Sequence, residues 1–175
     1  TSGTNSSLLI CSNTNCSFDT DGIVKIDYNN ILKLQNVDRD ITIMGGVTEN
    51  YNTTIIYPVN TITITLTGKN IITLQGNSNA KYKLNEGADI TFIPDNNSIG
   101  FVELAGNATI TSSASITILK LNSHTLTTNV DKIYIIIGSG TIKAKANANA
   151  EFPLELTSPI VSSIKLEVYN TINGN

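Results

Sequence analysis

The stretch Thr61-Ile62-Thr63-Ile64-Thr65-Leu66-Thr67 alternates polar and apolar residues without a break and stops at Gly68. Successive side chains of a β-strand point to opposite faces, so Ile62, Ile64 and Leu66 share one face and the threonines the other. A helix cannot bury this pattern on one side, because its apolar stripe repeats every 3.6 residues. The same period of two recurs at residues 22–27, 31–37, 40–44, 89–93, 101–104, 115–121, 125–128, 132–137, 141–148, 152–156 and 164–168. The chain therefore reads as a series of half-buried strands.

Glycine and asparagine punctuate these runs, as in Gly45-Gly46, Gly68-Lys69-Asn70, Pro94-Asp95-Asn96-Asn97 and Gly138-Ser139-Gly140, mostly at intervals of about 8 to 12 residues. They supply the positive φ angles that tight turns need. With 26 Ile and 23 Thr but no Trp, the composition favours strands as well, since β-branched residues lose χ1 freedom in a helix. The alanine-rich stretch 143–150 has helical propensity, yet it alternates strictly and so predicts a strand with one small, closely packed face.

These features predict an all-β fold, an antiparallel β-sandwich spanning 18–175 preceded by an N-terminal extension, 1–17. Such sheets bury one face and wet the other, which produces alternation. The alternative is a parallel β-solenoid, suggested by the phrases 119–126 and 138–142. A solenoid repeats evenly, whereas Ile43, Ile64, Phe92 and Ile110 are separated by 21, 28 and 18 residues. The sandwich is the expectation on that ground.

Charge narrows the function. Net charge is −3, Arg39 is the sole arginine, and only 14% of residues are charged. Nucleic-acid binding needs a basic stripe, and none is present. The surface is instead supplied by 23 Asn, 23 Thr and 15 Ser, a composition expected of an extracellular, cell-surface protein. The longest strictly apolar run, 133–137, is far short of the roughly 20 residues of a membrane-spanning helix. The chain starts at Thr1 rather than Met, which fits a processed or trimmed N-terminus.

Motifs for chemistry are sparse. His124 is the single histidine, in a turn-like setting, and no nucleophile elbow surrounds a serine. Glu151 and Glu155 fall on one strand face, as a solvated pair rather than opposed carboxylates. Gly138-Ser139-Gly140 lacks the lysine and following helix of a phosphate loop. Asp19-Thr20-Asp21-Gly22 opens like a calcium loop, so Asp19 and Asp21 are weak metal candidates, but no later bidentate Glu completes it. No enzymatic activity and no cofactor are expected. Five sequons mark candidate N-glycosylation sites at Asn5, Asn15, Asn52, Asn96 and Asn107. About as many arise by chance in a chain this rich in Asn, Ser and Thr.

The N-terminal segment is polar except for Leu8-Leu9-Ile10-Cys11, and Cys16 lies five residues beyond Cys11. In an oxidising compartment the two cysteines would close a small disulfide loop. Leu8, Leu9 and Ile10 form a candidate strand for adding to a neighbour's sheet. In its Ser/Thr/Asn-rich composition, all-β body and candidate donor strand, the chain resembles secreted filament subunits that assemble by donor-strand exchange, including the thread filaments of Sulfolobales. That resemblance implies a structural subunit of an extracellular filament or surface layer, partnered by copies of itself head to tail. The alternative is a monomeric adhesin or carbohydrate-binding module that contacts cell-surface glycans.

Overall fold

A computed structural model describes residues 8–10, 16–18, 23–26, 31–76, 79–146, 149, 151–156 and 163–169. Among the described residues eighteen strands form two nine-stranded sheets. The first sheet runs, in spatial order, β1 (Leu8–Ile10), β4 (Ile31–Gln35), β6 (Tyr51–Ile56), β8 (Lys69–Gln75), β10 (Asp89–Pro94), β12 (Ala108–Thr111), β14 (Thr125–Thr128), β16 (Gly140–Lys145) and β18 (Ile164–Tyr169). The second runs β2 (Cys16–Phe18), β3 (Ile23–Ile26), β5 (Ile41–Met44), β7 (Thr63–Thr67), β9 (Lys81–Leu84), β11 (Ser98–Leu104), β13 (Ser115–Lys120), β15 (Lys132–Ile137) and β17 (Glu155–Leu156). The chain alternates between sheets, so each coil gives one strand to each. From β4 to β16 it completes six turns.

This arrangement corrects the expected antiparallel sandwich. Every pairing from β3 onward is parallel; only the first two strands, β1 on β4 and β2 on β3, are antiparallel. Alternation did not distinguish the two architectures, because both bury one face of each strand. Spacing misled for a definite reason. Ile43 and Ile64 belong to the second sheet, whereas Phe92 and Ile110 belong to the first, so intervals across these four residues mix two series. Partners in register are closer to periodic. Ile55 faces Leu74, 19 positions on, and Ile90 faces Ile110, 20 on. Later coils shorten to 16 between Thr128 and Ala144, then lengthen to 24 between Ala144 and Val168. Corners absorb these differences while the strands stay in register.

Four of the parallel strands were also hidden. In β6 and β8 the inward positions include Thr53 and Asn70, and Ile71 points outward, so the alternation is broken. Strands β9 and β12 have only four residues each. Leaving out these rungs doubles or triples the apparent spacing and erases the repeat. The run 141–148 is shorter as a strand than expected. It ends at Lys145 within β16, where Ala144 packs inward at 1% exposure.

The core lies between the two inner faces as columns running along the solenoid. One column stacks Ile41, Ile64, Tyr82, Val102, Leu119 and Ile136; another stacks Ile43, Leu66, Leu84 and Leu104. All but Ile136 are buried. Tyr82 meets Phe92 from the opposite sheet edge-to-face, with centroids 5.4 Å apart. Its hydroxyl is buried with no hydrogen-bond partner among the described residues, and burial pushes the phenol far above its usual range. An unpaired buried hydroxyl costs about 1–3 kcal/mol. We expect Tyr82→Phe to leave the melting temperature unchanged or raise it; a fall of several degrees would show that the hydroxyl has a partner.

Coil-on-coil stacking leaves little room at the corners. A Cβ at Gly106 would lie 2.4 Å from the Glu86 Cα, a backbone atom that cannot step aside. At Gly87, in the same corner, φ is +81° but nothing stands within 4 Å of an added Cβ. Gly106→Ala should therefore cost about 1–3 kcal/mol through overpacking, and Gly87→Ala about 1 kcal/mol through left-handed strain. Thermal unfolding checks the order: Gly106→Ala should melt lower than Gly87→Ala by several degrees.

Candidate functional site

Two regions stand out: a polar trough on the outer face of the second sheet and the C-terminal end of the solenoid. The trough, about 360 Å³, is lined by residues including Asp40, Thr42, Thr65, Lys81, Lys83 and Glu103. It exists because β5, β7, β9 and β11 stack in register and place their outward side chains in columns. One column runs Thr42, Thr65, Lys83, Glu103 and Lys120.

Glu103 is the electrostatic centre of this face. Its side chain is only 16% exposed, and it takes Lys81 at 3.5 Å and Lys120 at 3.7 Å. The Asn122 amide donates to Glu103 Oε2 at 3.1 Å and to the Leu104 carbonyl at 2.9 Å. Burial alone would raise the Glu103 carboxyl. The Asn122 hydrogen bond and the charges of Lys81 and Lys120 outweigh it and hold the group below the ordinary glutamate range. Lys81 also lies 5.0 Å above the Phe101 ring. Asp40 accepts the Thr63 amide N–H at 2.8 Å.

A carboxyl whose folded-state pKa is depressed contributes stability above its unfolded pKa and loses it as pH falls through the folded value. We expect Glu103→Gln to lower the melting temperature at pH 7 and to weaken its decline between about pH 5 and pH 3. Parallel melting curves for the two proteins across that range would refute a stabilising Glu103 carboxylate.

The ends of the solenoid are unlike. At the N-terminal end, β1 pairs with β4 (Leu9 opposite Leu34) and β2 pairs with β3 (Ser17 opposite Lys25). At the other end, β18 pairs on one side with β16 over six residues. Its second edge has no partner among the described residues. Leu166 and Val168 continue the inward columns of Ile142 and Ala144, yet they are 36% and 40% exposed, against 0% and 1% one coil earlier. The facing strand, β17, has two residues and pairs with β15 only at Lys132 and Ile133. Among the described residues, nothing covers the last apolar row.

The sequence-predicted residues fall in several places. Leu8, Leu9 and Ile10 form β1 and lie on the edge of their own chain's first sheet. Cys16 begins β2, and Cys11 lies outside the described residues, as does the expected pairing of the two cysteines. Asn5, Asn15, Asp19 and Asp21 also lie outside them. Asn52, Asn96 and Asn107 are exposed, and Asn107 Oδ1 accepts the Thr125 amide N–H at 2.9 Å. The backbone of His124 serves a corner, donating to Leu121 and accepting from Thr141. Glu155 pairs with Lys132 at 3.3 Å. Among the described residues no group of His, Cys, Asp and Glu could hold a metal ion, and no helix is long and apolar enough to cross a membrane.

Sequence reasoning missed Lys81, Lys83, Glu103, Lys120 and Asn122 as a group. They come from three successive coils. The available signal was their spacing, since Lys83 to Glu103 and Glu103 to Lys120 are 20 and 17 positions. No family model matches the chain, and neither do any curated protein or solved structure.

Proposed function

We propose that the chain is a structural subunit of an extracellular filament or surface layer, in which the N-terminal strand of one copy pairs with the β18 edge of the next. The observation that carries this reading is the pair of sheet ends. Strands β1 and β18 terminate the same nine-stranded sheet, and each has one partner among the described residues. Unpaired strand edges are templates for further pairing. A β1-to-β18 contact would continue the sheet across the junction. Because it joins opposite ends, it is heterologous and propagates instead of closing. The register sets Leu9 opposite Leu34, a position on the inward row of the first sheet, and burying such a side chain contributes about 1.5–3 kcal/mol. The exposed Leu166 and Val168 offer the matching apolar row. The solvated Asn, Ser and Thr surface and the few charges support an extracellular setting.

Deleting residues 1–17 should leave a soluble body that does not polymerise, and Val168→Asp should do the same from the other end. A carboxylate carried into that junction without a partner costs several kcal/mol. Added 1–17 peptide should bind the truncated body and raise its melting temperature. Electron microscopy and sedimentation supply the readout. Filaments formed by the truncated protein, or a full chain that stays monomeric at every concentration, would refute the proposal.

A further inference from the structure

We propose that the trough on the outer face of the second sheet binds an acidic polysaccharide, with Lys83 holding the anionic group of one sugar. The proposal is independent of how the ends assemble. It starts from a mismatch of charge. Lys81, Lys83 and Lys120 surround one carboxylate, Glu103, on adjacent rungs. Glu103 is occupied by Lys81, Lys120 and Asn122. Asp40, the other acid of the trough, accepts the Thr63 amide and keeps its charge, so three ammoniums stand with two carboxylates. Lys83 stands in register beside Glu103 but makes no ion pair among the described residues. It is a half-buried lysine at the edge of a concave surface, between Thr65 and Glu103 in its column, with no ion pair of its own among the described residues.

The setting of Lys83 selects the ligand class. Along its column come Thr65 and then Thr42, whose hydroxyls make no side-chain hydrogen bond among the described residues. Hydroxyls both donate and accept, which suits the alternating hydroxyls of a sugar ring. An ammonium is a point charge with three rotatable donors, which suits a carboxylate or a sulfate on that ring. A peptide would be held through an open strand edge or an apolar pocket. This trough has neither: its backbone is paired on both sides within the sheet, and its lining is mostly polar. The trough is open and elongated across successive coils, so a chain of sugars fits it better than a single small anion.

The opposite face provides an internal control. There a second concavity of about 430 Å³ carries one ammonium, Lys143, to two carboxylates, Glu86 and Glu167. Its lining holds no excess of positive charge.

The test uses the full chain and five probes: polygalacturonate, its methyl-esterified form, dextran sulfate, unmodified dextran and polyglutamate. Binding is followed by titration calorimetry at low and physiological salt. The wild type should bind polygalacturonate or dextran sulfate and ignore the uncharged partner of whichever it binds; the polymer bound tells carboxylate from sulfate. Lys83→Met should weaken binding about three- to tenfold, Lys83→Arg should retain most of it, and Lys143→Met should leave it unchanged. Far-UV circular dichroism and melting temperature check that each variant is folded. Equal losses in Lys83→Met and Lys143→Met would mean diffuse attraction and overturn the proposal. So would unchanged binding in Lys83→Met, failure to bind either charged polymer, or equal affinity for polyglutamate, which would make the site a peptide site.

Discussion

Everything in this molecule depends on the parallel backbone ladder between successive coils. A single coil of about 20 residues has two short strands and cannot enclose its own apolar side chains. Stacking in register satisfies the strand N–H and C=O groups and, at the same time, lays Leu on Ile on Ile in columns between the two sheets. The ladder explains why corner lengths vary from coil to coil with little effect on the core. An extra loop residue leaves the column, but a one-residue slip of a strand would turn its whole apolar row outward.

The same ladder builds the outer surface. Since facing direction is inherited from rung to rung, outward residues line up as faithfully as inward ones. Glu103 receives Lys81 from the coil before and Lys120 from the coil after. Asn122 then fastens the carboxylate and the Leu104 carbonyl with one amide. Function in such a fold is placed on columns, and a binding surface is written by residues about one coil apart. The trough on the second sheet follows from that geometry.

A solenoid also has ends, and ends are costly. Interior coils bury their rows at or near 0% exposure, whereas Leu166 and Val168 in the last strand do not. The two antiparallel strands at the other end reverse the chain direction against β4 and β3, so each sheet terminates there in a different kind of strand from the one at its far end. This polarity gives the molecule a head and a tail. A subunit with unlike, strand-edged ends suits linear assembly better than closed symmetric pairing.

Alternation in the sequence, by itself, determined that this chain is all-β and which residues face inward along the clearest strands, such as Ile62, Ile64 and Leu66. That information is local: it needs only the pleat and the difference between Ile and Thr. The strand partners were not local. β6 and β8 carry Thr53 and Asn70 at inward positions that alternation alone would give to apolar residues, and without those rungs the coil period disappears. Pairing direction, the stacking of Lys83 beside Glu103, and the contrast between antiparallel and parallel ends were decided only in the tertiary structure. Hydrogen bonds between coils join residues about 20 positions apart, and corners of unequal length conceal that interval in the linear chain.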